Sequence, residues 1–319
     1  MKLVSILAVR RGGLGDLLVA LPSLRLLRSA FPEARITLVA RITYGRLFPD
    51  SGIVDLLENA DDFRWAALAD STVRAGAEVP SLPNADFVVG WFHSKAGATF
   101  RENAAAVWPT ADVRPLFADS KGDRPLNHVF FDLTAGFIRE QIRPVAAFED
   151  CASLPFTPQK MNSDGGSSAG EPMPGRSIVV HPGGGGRKKL WPMDRFLEAM
   201  AFLSSRGFEG VVVTGEAEDH LEPFLAGPAL PSGWRRLRHP PLGELTALLA
   251  RSAFYLGNDS GVTHLAAALG VPGLAVFRSE FLPAWNPGGR ITVVSAADVR
   301  DISFASMRDR LISTGLIAS

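Results

Sequence analysis

Residues 3–40 read LVSILAVRRGGLGDLLVALPSLRLLRSAFPEARITLVA. Leu3 to Val9 is an apolar run of strand length, continuous rather than alternating, which predicts a parallel strand covered on both faces. A glycine-rich loop follows. Leu17, Leu21, Leu24, Leu27 and Phe31 then recur at helical spacing, with Arg25, Arg28 and Ser29 on other faces. Asp16 stands at the helix start, where a carboxylate caps free amides and suits the positive end of the dipole. Pro32 helps stop the helix. Ala34 to Ala40 supplies a second strand. Such a β–loop–α–β unit at the start of a chain predicts a doubly wound α/β sheet.

The alternation continues outward. Ile53–Leu57 and Asp86–Trp91 read as short strands, Ser94–Val107 and Leu126–Ile142 as helices, and Val79–Asn84 as a loop. Met161 to Gly175, MNSDGGSSAGEPMPG, is rich in glycine, serine and proline and reads as a flexible linker. A second alternation has strands at Ser177–Val180, Gly210–Thr214, Ala253–Leu256 and Pro272–Phe277. Its helices are Asp194–Arg206, a short Glu218–Leu225, Leu242–Ala250 and Ser260–Leu269, with a last helix at Ser303–Leu311. The expected organisation is two doubly wound α/β domains, 1–160 and 176–300, joined by the linker 161–175 and followed by a helix and tail at 301–319. Open parallel sheets bind ligands at the carboxyl ends of their strands, so a cleft between the domains is the expected site.

Composition narrows the function. The 319 residues are 46% hydrophobic and 21% charged, enough to bury a core. Net charge is zero, with 33 basic and 33 acidic residues, which argues against nucleic-acid binding through bulk charge. The one cysteine, Cys151, excludes an internal disulfide framework and suits a reducing cytoplasm. MKLVSILAVRRGG imitates a signal peptide, but its apolar run is short, ends in Arg10 and Arg11 and lacks a small-residue cleavage site. No run of about 18 apolar residues is present to cross a membrane. The six histidines show no metal-ligand spacing, so no metal site is expected. Trp65 and Trp108 are most simply core.

Three loops carry chemistry. Gly12-Gly13-Leu14-Gly15-Asp16 follows a strand and opens a helix, yet matches neither the dinucleotide fingerprint nor a P-loop. It delivers Asp16 to a strand end, as an N-cap or as a reactive carboxylate. Arg10, Arg11 and Lys95 either form a cationic floor beside it or are solvated charges. His93-Ser94-Lys95 ends another first-domain strand. HPGGGGRKKLWPM, His181 to Met193, places four bare backbone amides beside Arg187, Lys188 and Lys189. That suits a phosphate or diphosphate, or else a flexible surface loop. GNDSGVTHLAAALG opens a helix at Ser260, with Asp259 as the expected N-cap and His264 one turn in, as a packed or capping residue or a catalyst. Glu216 and Glu218, after the strand at Gly210–Thr214, could bind ribose hydroxyls or charge a helix start.

Together these three motifs closely resemble glycosyltransferase family 9, the ADP-heptose:lipopolysaccharide heptosyltransferases and relatives. The likeness is strongest over residues 1–42 and 178–278 and weak between Tyr44 and Pro125. It implies the GT-B fold, with the acceptor on the first domain and the nucleotide-sugar on the second. It also implies an inverting transfer of a sugar, heptose from ADP-heptose first, to a hydroxyl of lipopolysaccharide core or another surface glycan. Asp16 matches the family's base, and Lys189 matches a lysine on the donor diphosphate, beside Gly184 and Gly185. Asp259, Ser260, Gly261 and His264 match the donor segment, and Glu218, or neighbouring Glu216, a ribose-binding acid. Arg11, Gly13, His93 and Lys95 fall to the acceptor side. The resemblance implies no cofactor, no metal and no nucleic acid. It implies a cytoplasmic enzyme, and a lipid-linked acceptor would bring it to the cytoplasmic face of the inner membrane.

Two other functions share the fold: a GT-B-like epimerase or hydrolase that needs no glycan acceptor, and an inactive nucleotide-sugar-binding relative.

Overall fold

A computed structural model describes residues 5–66, 68, 82–93, 96–119, 121–156, 177–225 and 230–315. The chain divides into two units, Met1–Pro155 and Phe156–Ser319. The expected linker, 161–175, lies outside the described residues.

Unit 1 is built on a five-stranded sheet: β1 (Ser5–Val9), β2 (Arg35–Ala40), β3 (Leu56–Asn59), β4 (Phe87–Phe92) and β5 (Asp112–Phe117). The order is β3-β2-β1-β4-β5 and every pairing is parallel. β1 sits at the centre, between β2 and β4, which is why its side chains are apolar on both faces. One face packs Leu7, Val9 and Val39 against Trp65, Phe100 and Trp108. The two tryptophans are core, as expected.

The helix expected over Leu17–Phe31 is two helices, α1 (Leu14–Val19) and α2 (Leu21–Ala30). Pro22 has no N–H to give the carbonyl four residues back, so the helix breaks at Ala20, which ends α1 and begins α2. α3 (Ala96–Val107) and α4 (Leu126–Glu140) complete the layers, and Phe137 of α4 stacks on Phe87 of β4 at 3.9 Å. α4 ends before the expected Ile142, because Ile142 takes a positive φ of 54°.

Unit 2 has six parallel strands in the order β11-β10-β9-β6-β7-β8. They are β6 (Ser177–His181), β7 (Glu209–Thr214), β8 (Trp234–Arg238), β9 (Phe254–Asn258), β10 (Gly273–Arg278) and β11 (Ile291–Ala296). The helices are α5 (Met193–Ser205), α6 (Leu242–Arg251), α7 (Gly261–Ala268) and α8 (Phe304–Ser313). In place of the expected short helix at 218–225 stand a 3-10 segment, Glu216–Leu221, and one turn, Glu222–Leu225. The last helix, α8, is part of the unit 2 core: Met307 and Leu311 are fully buried among Met200, Leu203 and Leu256. Each such side chain contributes roughly 1.5–3 kcal/mol of transfer free energy.

Candidate active site

In unit 1, chemistry gathers at the carboxyl ends of β1 and β4. Gly13 is the N-cap of α1 and Asp16 is its third helical residue, so Asp16 is not itself the N-cap. The Gly13 N–H donates to Asp16 Oδ2 at 3.0 Å, one half of a capping box. Gly12 has φ +129°, and a Cβ there would lie 2.6 Å from Asp16 Cγ, so the approach of loop to carboxylate requires glycine.

The other oxygen of Asp16 faces charge. Arg10 Nη2 donates to Asp16 Oδ1 at 2.8 Å, and His93 Nε2 lies 3.0 Å from that same oxygen. Arg10 is not a solvated charge: it is 3% exposed. Its Nε donates to the Asp16 carbonyl at 2.9 Å and its Nη1 to the Trp91 carbonyl at 2.7 Å. Its guanidinium carbon sits 5.4 Å from the Phe130 ring centre on α4. Burial pushes the Arg10 guanidinium down to about 10, against the pull of Asp16. Burial also pushes the Asp16 carboxyl up, but the His93 hydrogen bond, the Arg10 charge and the Gly13 amide outweigh it. Asp16 is therefore held below the usual carboxylate range and is ionised at neutral pH. Arg11 is exposed. Lys95 and Ser94 lie outside the described residues.

In unit 2, the strand ends of β6, β7 and β9 converge on the glycine loop. Arg187–Lys189 form a single 3-10 turn, and Lys189 Nζ donates to Asp259 Oδ2 at 2.6 Å. The ammonium also lies 4.6 Å from the Phe281 ring centre. Asp259 is 4% exposed, and Ser260, not Asp259, is the N-cap of α7. Ser260 has extended backbone and its Oγ accepts from the Thr263 N–H, while the Asp259 carboxylate is taken up by Lys189. The first amides of α7, at Gly261 and Val262, have no partner within the helix. Asn258 ties the loop down: its Nδ2 donates to the Pro182 carbonyl at 2.7 Å and its Oδ1 accepts from the Trp191 N–H at 3.1 Å.

The two candidate ribose acids separate clearly. Glu216 is exposed, whereas Glu218 is buried beneath the glycine loop. Glu218 Oε2 accepts from the Gly215 N–H at 2.8 Å and lies 3.8 Å from His181 Nε2. Burial pushes its carboxyl up, but His181 and the Gly215 and Gly184 amides outweigh that and hold it low. Gly183 admits this carboxylate: a Cβ there would overlap the Glu218 carboxyl. Gly184 packs close to the Asp259 carbonyl, and Gly185 has open space. His264 is buried one turn into α7, its ring edge-on to Trp285 at 6.2 Å. Sequence reasoning missed His181, whose Nδ1 lies 3.3 Å from Ser260 Oγ, and Asn258. Both adjoin the motifs, as the first residue of HPGGGG and the residue before Asp259. No group of three or more His, Cys, Asp or Glu suited to a metal occurs among the described residues.

Residues 157–301, most of unit 2, match the profile of glycosyltransferase family 9 (heptosyltransferase). Over this segment the chain is similar to glycosyltransferase family 9. A lipopolysaccharide heptosyltransferase 3 of Escherichia coli is 26% identical to this protein over 137 residues, 42% of this chain and 40% of the relative. The aligned part thus spans less than half the length of that relative. Among solved structures, the E. coli ADP-heptose lps heptosyltransferase II superposes with TM-score 0.71 at 18% identity, covering 98% of each chain. A family 9 glycosyl transferase from Veillonella parvula gives TM-score 0.72 at 17% identity, again over 98% of each chain. The two parallel-sheet domains are those of the GT-B fold.

Proposed function

We propose that this protein is an inverting glycosyltransferase that moves a sugar from a nucleotide-sugar to a hydroxyl of lipopolysaccharide core or another surface glycan. ADP-heptose is the first candidate donor. The observation that carries the reading is Asp16: an ionised carboxylate, 28% exposed, fixed by Arg10 and the α1 cap at a strand end. An acceptor hydroxyl is a poor nucleophile until a base takes its proton. Asp16 takes that proton as the hydroxyl oxygen attacks the anomeric carbon opposite the leaving diphosphate, and the anomeric centre inverts. The departing diphosphate gathers negative charge. Lys189, the Gly184–Gly185 amides and the first amides of α7 neutralise it, and Asp259 holds Lys189 in place meanwhile. Charge neutralisation falls to these groups rather than to a divalent metal. Glu216, the exposed acid after β7, is the better placed to meet ribose hydroxyls.

The setting proposed is the cytoplasm, at the inner-membrane face if the acceptor is lipid-linked. No helix of the described residues is long and apolar enough to cross a membrane.

The test is a thermal-shift panel of ADP, UDP, GDP and ADP-heptose, with product analysis. A ligand at 100 times its Kd stabilises by about 2.7 kcal/mol. ADP and ADP-heptose are expected to raise the midpoint and UDP and GDP to leave it unchanged. Free sugar or an epimer released without acceptor would place the protein among nucleotide-sugar epimerases or hydrolases instead.

A further inference from the structure

Lys189 has a neighbour that the proposed reaction leaves without a role. Besides donating to Asp259 Oδ2 at 2.6 Å, its ammonium lies 4.6 Å from the centre of the Phe281 ring. An ammonium has three N–H donors and no acceptor, and lysine carries it on a flexible four-carbon stem. Asp259 takes one donor and offsets part of the charge. Phe281 engages the cation differently. The face of the ring is negative while the ring as a whole is uncharged, so it attracts the ammonium without neutralising it.

The loop after β10 is built to hold this ring. The Phe281 N–H donates to the Arg278 carbonyl at 3.1 Å. Its own carbonyl accepts from the Trp285 N–H at 2.9 Å and starts one helical turn, Leu282–Trp285. Trp285 in turn meets His264 of α7 edge-on, which ties the turn to the helix that follows Asp259. A second cation contacts the same ring: the Arg278 guanidinium carbon lies 5.8 Å from its centre. Arg278 Nε donates to the Ala297 carbonyl, just beyond β11, at 3.0 Å, and its Nη1 pairs with Glu280 at 2.9 Å. Arg278 therefore braces the ring from the end of β11, with its charge met by Glu280.

We propose that Phe281 is a positioning residue of the donor site that acts through Lys189. Its ring and the Asp259 carboxylate fix the ammonium before the donor arrives, with an N–H left for the diphosphate. The proposal rests on Lys189 meeting the donor diphosphate. Ordering a free lysine side chain during binding costs affinity, and a site that holds it beforehand avoids that cost. A preset charge also needs no rearrangement as the diphosphate departs. An aliphatic side chain would fill the same space but offer the ammonium no negative face.

The test is ADP binding to the full-length protein by titration calorimetry. Phe281→Leu keeps apolar bulk and loses the ring; its Kd for ADP is expected to rise roughly three- to tenfold. Phe281→Tyr, which restores a ring, is expected to bind as wild type does. Fluorine draws charge from the ring face with little change in size. Mono-, di- and trifluorinated phenylalanine at position 281 are therefore expected to weaken ADP binding stepwise. A Kd that stays constant along that series overturns the proposal, because packing alone is insensitive to it. In a Lys189→Met background, Phe281→Leu is expected to have no further effect; an equal loss with and without the lysine also overturns the proposal. Lys189→Met alone separates this inference from the reading beneath it. If that variant binds ADP as tightly as wild type, the lysine is not on the diphosphate and both fall. If it binds weakly while the fluorinated series is flat, only the role of Phe281 falls. Urea midpoints of the fluorinated proteins, expected to match wild type, exclude loss of folding as the cause.

Discussion

Four consecutive glycines, Gly183 to Gly186, give an unusually clean perturbation, because the structure assigns each a different cost for the same added methyl. At Gly183 a Cβ would overlap the buried carboxyl group of Glu218. That carboxylate would have to move, giving up the amides of Gly215 and Gly184. Hydrogen bonds to a charged group contribute about 1.5–3 kcal/mol each, and a displaced carboxylate regains part of this from water. Gly183→Ala is therefore expected to destabilise unit 2 by roughly 2–4 kcal/mol. At Gly184 the nearest atoms are the Asp259 carbonyl oxygen at 3.1 Å and Leu190 Cδ2 at 3.3 Å. A few tenths of an ångström of adjustment puts the cost at about 1 kcal/mol. Gly185 has nothing within 4 Å and does not adopt a left-handed φ. Alanine there narrows the unfolded ensemble and is expected to be neutral, or stabilising by about 0.4–1 kcal/mol. Gly186 also has open space, but its φ of +133° strains an alanine by about 1–3 kcal/mol. The assay is urea denaturation of the four single variants, with hydrogen exchange of peptides from β6 and β7 to assign the loss to unit 2. The order 183, then 184 or 186, then 185 is the expected result. A Gly183→Ala variant as stable as Gly185→Ala would refute the placement of Glu218 beneath the loop.

Other outcomes follow from the same contacts. Asp16→Asn is expected to lower turnover by about 10²–10⁴-fold while leaving ADP affinity unchanged, as read by steady-state kinetics and calorimetry. The folded carboxyl of Asp16 is held below its unfolded value, so its contribution to stability is present above the ordinary carboxylate range and is lost as pH falls through the folded value. Asp16→Asn should therefore flatten part of the acid limb of the stability curve; an unchanged limb would contradict the depressed carboxyl. Lys189→Met strips the partner from a carboxylate that is 4% exposed, and Asp259→Asn in the same chain should recover part of the lost stability. Additive losses in that double-mutant cycle would deny the ion pair. Tyr255→Phe removes the hydroxyl that meets Thr263 Oγ1 at 2.9 Å and is expected to cost about 1 kcal/mol in chemical denaturation.

The central strands were legible because burial on both faces leaves an uninterrupted apolar run, as in β1, β6 and β9. The strands absent from the sequence reading, β5, β8 and β11, are all at sheet edges. An edge strand packs less completely and tolerates polar residues: β8 is WRRLR, and β5 contains Pro115, whose missing N–H an edge can accommodate. The first helix was read as one because its apolar spacing runs through Pro22, and spacing alone does not register a missing N–H. At the site, glycine motifs after strands located the loops, while partners distant in sequence stayed hidden. Arg10 looks like a surface charge until the Trp91 carbonyl and Phe130 enclose it, and Glu218 looks like Glu216 until the glycine loop covers it. Ser260 holds the N-cap expected of Asp259, because the carboxylate of Asp259 is taken up by Lys189, 70 positions away in sequence.

The central position of β1 also has a consequence in time. The α1 cap, with Gly13 and Asp16, lies in chain that is synthesised before β4. The Trp91 carbonyl that anchors Arg10 comes 81 residues later. At about 5–20 residues per second, the ribosome leaves a gap of roughly 4–16 s between them. Throughout that interval β1 can pair with β2 but presents its other edge unpaired, and the Arg10–Asp16 pair stands in water. The nascent chain therefore carries an open parallel edge until β4 emerges, and this is the period in which it is most exposed to pairing with another copy and has most to gain from a chaperone.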